Sequence, residues 1–149
     1  MDAIDHQILQ HLQRNARMPL SELGRAISMT QPAVSERVRK LEEKGIIDSY
    51  RAIVSPEKLG KAVTAFVLVQ TGSCGKLAKF GGESPEVAEM HQLSGQYNFI
   101  LKVQTRSIAS LEAFLVRCSE FGFTTTMTVL STPLAFKPLS EEADGFRAI

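Results

Sequence analysis

All eight phenylalanines of this 149-residue chain lie at or beyond position 66, and Tyr50 is the only aromatic residue before them. One packed core does not draw its large rings from only part of a chain, so two modules of different chemistry are the simplest explanation. The length allows this, with room for one ordinary domain or two small ones. Ser55-Pro56-Glu57-Lys58-Leu59-Gly60 is rich in turn formers and makes the natural hinge. Residues 1–54 read as the first module, 55–62 as hinge and linker, and 63–149 as the second module with a C-terminal tail.

Hydrophobic residues make up 44% of the chain and charged residues 22%, close to the globular average, which excludes wholesale disorder. No apolar run approaches a membrane span, and Asp2 and Asp5 stand where an export signal needs basic residues. Cys74 and Cys118 are too few to staple a fold and are not spaced as a CxxC pair, so a reducing cytoplasm is the expected location. The net charge of +1 rules out a uniformly basic nucleic-acid coat. Between residues 25 and 40, however, Arg25, Arg37, Arg39 and Lys40 face Glu36 alone.

Ile4, Ile8, Leu9 and Leu12 recur at helical spacing, and Asp2 is placed to cap the helix they define. A second short helix is expected from Pro19, with Leu20, Leu23 and Ile27 inward. Ser28, Met29 and Thr30 form a brief break, and Ser28 stands where turns of this kind often carry glycine. Thr30 then precedes a third helix reaching about Lys44, with Val34, Val38 and Leu41 as its buried stripe and Gly45 ending it. Two helices joined by three residues, the second one basic, make a helix-turn-helix pattern. Gln31, Pro32, Ser35 and Glu36, near the start of the recognition helix, are the base-contact candidates. Arg25, Arg37, Arg39 and Lys40 read as phosphate clamps, which set register without reading sequence. A plain amphipathic helix with a solvated charged face stays open as the alternative.

The second module reads as βαββαβ. Its expected strands are 64–71, 87–93, 97–104 and 124–131, with one weak helix around Leu77, Ala78 and Phe80 broken by Gly81-Gly82-Glu83-Ser84-Pro85. A second helix capped by Ser107 turns Ile108, Leu111, Phe114, Leu115 and Cys118 inward. That order gives a ferredoxin-like α/β sandwich. Such a sheet is covered on one face only, yet the first strand is apolar on both, with Ala65, Val67 and Val69 opposite Phe66 and Leu68. A naked apolar face predicts self-association.

Together these residues resemble the Lrp/AsnC family of bacterial and archaeal regulators. The match runs through Ile4-Asp5, Ile8-Leu9, Leu12-Gln13, Arg17 and Glu22-Leu23, then Ser35 to Glu42, Gly45-Ile46-Ile47, Tyr50 and the Ser55-Pro56 hinge. In the second module, Ser94-Gly95-Gln96-Tyr97 before an apolar strand looks like the family's effector turn. The resemblance implies an α+β protein, with an N-terminal winged helix-turn-helix joined to a C-terminal ferredoxin-like domain. It implies a transcriptional regulator that binds double-stranded DNA, assembles as a homodimer and further to an octamer, and responds to a small amino-acid ligand between subunits. No cofactor or metal is implied. By position the effector contacts are Gly95, Gln96, Tyr97 and Asn98, with Ser131 and Thr132 completing the site from a neighbouring subunit. Many members carry Asp where this chain has Gln96 and Asn98, which favours a small neutral or polar amino acid over a basic one.

An enzyme is the main rival. His6 and His11 lack the i,i+4 spacing of a metal pair and read as surface residues, and His91 as a buried, satisfied histidine or a pocket residue. Neither cysteine has a nearby partner base, and Cys118 continues an apolar stripe. A ligand-independent architectural DNA binder of the same fold, and a sensory module without DNA binding, are the other readings kept open.

Overall fold

The computed structural model describes residues 1–139. Contacts divide the chain into two compact units: Met1–Ile53 together with the segment from Leu134, and Val54–Pro133. The first boundary falls beside the expected hinge. The C-terminal segment, expected to go with the second module, goes with the first, because Leu139 is hydrogen-bonded to Gln13 through both its backbone groups.

In the first unit, α1 (Ala3–Arg14), α2 (Leu20–Ala26) and α3 (Gln31–Glu43) pack on Ile8, Leu12, Leu23, Ile27, Val34, Val38 and Leu41, all 9% exposed or less. Aspartates cap α1 at both ends of a reciprocal box: the Asp5 N–H donates to Asp2 at 2.9 Å and the Asp2 N–H to Asp5 at 3.1 Å. Helix α3 ends in a Schellman turn. Gly45 sits at φ +66, its N–H bonds the Glu42 carbonyl, and the Ile46 N–H bonds the Leu41 carbonyl, both at 2.9 Å. The break between α2 and α3 puts Ser28 at φ +56, the left-handed conformation that its place in the turn demands. Residues 46–56 contain no strand, so the expected winged helix-turn-helix continues after α3 as irregular chain and not as a β-wing.

The second unit holds β1 (Val63–Gln70), α4 (Cys74–Glu83), β2 (Val87–Gln92), β3 (Phe99–Thr105), α5 (Ile108–Ser119) and β4 (Phe123–Thr128). The antiparallel sheet has the order β2-β3-β1-β4, the ferredoxin-like arrangement. Alternation along β1 and β3 sends Ala65, Val67, Val69, Leu101 and Val103 inward, where they are fully buried with Leu77, Phe114 and Cys118 of the two helices. Helix α4 runs through Gly81 and Gly82 instead of stopping there. The sequence reads as a breaker, but Gly81 is where Met90 lies against the helix: a Cβ there would meet the Met90 Cε at 1.8 Å. Ile108, expected inside, is 61% exposed at the first turn of α5. The open face of the sheet carries Phe66 and Leu68, with Ile100 and Met127 as their cross-strand neighbours.

Candidate DNA interface and effector turn

Because Val34, Val38 and Leu41 face the core, α3 turns Gln31, Pro32, Ser35, Glu36, Arg39 and Lys40 to solvent, and all six are exposed. Arg25, on α2, is exposed too. Among the described residues, Gln31, Ser35 and Arg25 make no side-chain hydrogen bond or ion pair, so their polar atoms are available to a partner. Thr30 makes no capping bond. With Pro32 bringing no N–H, Gln31 and Ala33 are the first-turn donors that no side chain caps.

The charged residues of α3 divide into two kinds. Arg39 donates to both oxygens of Glu36, at 2.9 and 2.6 Å, and also pairs with Glu43, while Lys40 lies 3.5 Å from Glu36. The Arg39 hydrogen bonds pull the Glu36 carboxyl down to about 2 and push the Arg39 guanidinium up. Exposed pairs of this sort contribute little and exchange readily for phosphate. Once its cations turn away, Glu36 can accept from a cytosine amino group at the groove edge.

Arg37 is different. Its Nη1 donates to Asp2 at 2.8 Å and to Asp5 at 2.7 Å, so it joins α3 to the capping box of α1. Asp2 is held below the usual carboxylate range by the Asp5 N–H first and by Arg37 second, and Arg37 is raised by Asp5 and then Asp2. The expectation of a phosphate clamp at Arg37 meets a side chain already engaged within the protein. Asp2 and Asp5 were legible as a cap; their second role, anchoring Arg37, was not. Tyr50 donates to Glu42 at 2.8 Å, and burial followed by that carboxylate pushes its hydroxyl up to about 12.

In the second unit the turn joining β2 and β3 places Gly95 at φ +120, exposed and with open space around its Cα. Gln96 is exposed, and its amide has no partner among the described residues. Tyr97 and Asn98 are spoken for. The Tyr97 hydroxyl lies 2.8 Å from Thr125 Oγ1 on β4. The Asn98 amide closes on the backbone of Thr71, accepting from its N–H at 2.9 Å and donating to its carbonyl at 2.7 Å. Thr71, 8% exposed, in turn donates to the Phe121 carbonyl at 2.6 Å and accepts from the Ser73 N–H. The turn is thus pinned to the ends of β1 and α5. Sequence reading missed Thr71 and Thr125, since neither stands in a motif and only the sheet register brings them here. Ser131 and Thr132 are exposed, past the end of β4, and the fold does not bring them together with the turn residues by any bond.

His91, expected to be buried or in a pocket, lies exposed on the open sheet face, 3.7 Å from Glu89. The pleat decides this: His91 pairs with Ile100, whose neighbours Phe99 and Leu101 take the buried positions. His6 and His11 are half-buried, not fully on the surface. Cys118 is buried in the core, which pushes its thiol up to about 11 and makes it inert. Among the described residues, no group of three or more His, Cys, Asp or Glu could hold a metal, and no helix is long and apolar enough to cross a membrane.

Two family models match this chain: the AsnC-type helix-turn-helix domain over residues 1–42, and the Lrp/AsnC ligand binding domain over residues 64–139. The HTH-type transcriptional regulator YezC of Bacillus subtilis is 46% identical over 132 residues, covering 89% of this chain and 95% of its own. The solved structure of Bacillus subtilis LrpC is similar at a TM-score of 0.86 and 29% identity, covering 91% of this chain and 99% of that one. The regulator NMB0573 of Neisseria meningitidis, solved as a complex with L-Met, matches at 0.86 and 25%, covering 93% and 96%.

Proposed function

Since the chain belongs to the Lrp/AsnC family of transcriptional regulators, we propose that α3 is its recognition helix and that the turn 94–98 is its effector turn. Its relatives are regulators of transcription and not enzymes, and this protein is a DNA-binding transcriptional regulator with a ligand-binding domain. What supports α3 is the exposed face at its start, Gln31, Pro32, Ser35 and Glu36, on which Gln31 and Ser35 are uncommitted and Glu36 is held only by exposed cations, and which suits base edges in a major groove. Arg25, Arg39 and Lys40 supply the phosphate contacts. Arg37 leaves that set and becomes a positioning residue that holds α3 against α1. The functional boundaries are those of the hinge, residues 55–62, and the place of action is the cytoplasm, where the DNA is.

The open apolar sheet face supports a homodimer, which presents two copies of α3 to a pseudo-palindromic site; assembly to an octamer builds on that dimer. A small neutral or polar amino acid is the proposed effector, since no carboxylate stands free on the turn for a second cation. It is bound by the Gly95 backbone and Gln96, with Tyr97 and Asn98 holding the turn in place and Ser131 and Thr132 contributed from a second subunit. The L-Met complex of a similar protein supports the ligand class. The saturated Asn98 amide favours a second reading, a ligand-independent DNA-binding protein of the same fold, in which the turn is structural.

The experiment is a salt-dependent DNA titration. Arg39→Ala should weaken binding to all sequences and lower the salt slope by about one unit. Arg37→Ala should leave that slope nearly unchanged. If neither slope moves, α3 is not the DNA-reading element. Calorimetry with single amino acids on wild type and Gly95→Val then separates the two readings of the turn.

A further inference from the structure

The chain leaves the first unit at Ile53 and belongs to it again from Leu134. There the Gln13 side chain of α1 accepts from the Leu139 N–H at 2.8 Å and donates to the Leu139 carbonyl at 2.9 Å. One amide side chain thus satisfies both backbone groups of one residue, as a neighbouring strand does. Phe136 and Leu139 share a cleft of about 430 Å³ with Leu12 of α1 and with Ile46, Ile47 and Tyr50 of the segment after α3. Phe136 remains 50% exposed and Leu139 83%, so the attachment is shallow and reversible.

That segment has little else to hold it. Residues 46–51 form no strand, and their links to the helices are the end of the Schellman turn, the half-buried Ile47 and the Tyr50 bond to Glu42. The same stretch carries Arg51, whose side chain is 82% exposed and 3.9 Å from Asp48. Arg51 also borders the cleft that the C-terminal segment walls on one side.

We propose that Leu134–Leu139 is a strap that orders residues 46–51 beside α3 and so places Arg51 for a phosphate contact, raising DNA affinity. The proposal rests on α3 being the DNA-reading helix. Seated, the strap spares the 46–51 chain the loss of conformational freedom on binding; released, that cost falls on the complex. It leaves the exposed face of Gln31, Pro32, Ser35 and Glu36 untouched, so it sets strength and not sequence preference.

Full-length Gln13→Ala and Phe136→Ser test this by hydrogen exchange and by titration of a DNA fragment that the wild type selects. Amides of residues 46–51 should exchange about tenfold faster, while those of Ile8, Leu23 and Val34 keep their protection. DNA binding should weaken about three- to tenfold, and Arg51→Ala should cause a similar loss to which Gln13→Ala adds nothing. Unchanged exchange at 46–51, unchanged affinity, or fully additive losses would overturn the strap. An inert Arg39→Ala would instead sink the helix assignment on which the strap rests, whereas unchanged exchange at 46–51 beside a weakening Arg39→Ala would overturn the strap alone.

Discussion

The third helix and the turn between β2 and β3 carry similar residues, glutamine, small hydroxyl or amide side chains and little net charge, yet the fold treats them in opposite ways. On α3 the groups at the start of the helix are unengaged, and Arg39 and Glu36 are engaged only with each other and with exposed neighbours. On the turn, Asn98 and Tyr97 are committed to Thr71 and Thr125, leaving Gln96 and a glycine backbone open. Polar residues therefore signal a binding surface only when their own fold leaves them unpaired. Arg37, committed to two aspartates amid exposed cations, makes the same point within a single helix.

Five substitutions would sharpen or break that contrast. The largest effect is expected from Phe66→Glu, which sets a carboxylate in the open apolar face of the second unit. Light scattering should show loss of the proposed dimer at micromolar concentration, because burying an unpaired charge outweighs the rest of such an interface. A dimer that survives would locate self-association elsewhere. Next comes Asn98→Ala, which strands the N–H and carbonyl of Thr71 and should cost about 1–3 kcal/mol in denaturant unfolding. Gln96→Ala should cost nothing measurable, and equal losses from the two would erase the distinction drawn for the turn. Ser28→Gly should stabilise the first unit by about 1 kcal/mol, by relieving a left-handed serine; a loss would mean that the Ser28 side chain has a use there.

Arg37→Ala is the smallest and depends on pH. The Asp2 carboxyl has its folded value lowered, so its contribution is present above the ordinary carboxylate range and is lost as pH falls through the lowered value. The variant should be less stable than wild type at neutral pH, with the difference closing on acidification. A pH-independent difference would assign the loss to packing instead of the ion pair.

Much of this was readable before any coordinates. The buried stripe of α3, the capping role of Asp2, the left-handed Gly45 and the βαββαβ order follow from periodicity and turn chemistry, which act over a few residues. Gly81-Gly82 misled because a local breaker was overridden by a tertiary need for room beside Met90. His91 misled because its facing depends on register with β3. The partners of Asn98 and Arg37 lie 27 and at least 32 positions away, beyond the reach of any local pattern. The family resemblance points to an effector turn at 94–98 but carries nothing of the bonds that tie those residues to Thr71 and Thr125.

The link between Gln13 and Leu139 has a consequence for the order in which the molecule is made. They stand 126 positions apart, and closing a flexible loop of that length costs about 4 kcal/mol, more than one shallow attachment returns. Folding of the second unit removes most of that cost, because the Val129 N–H bonds the Thr64 carbonyl at 2.9 Å and so brings its point of entry beside its point of exit. During synthesis the three helices can form first, but the link from Gln13 to Leu139 closes only after β4 has emerged and joined its sheet. The helical unit is thus completed by a residue made 126 positions after Gln13. A chain stalled before β4 lacks that wall of its helical unit, so a change near Leu139 registers at α1.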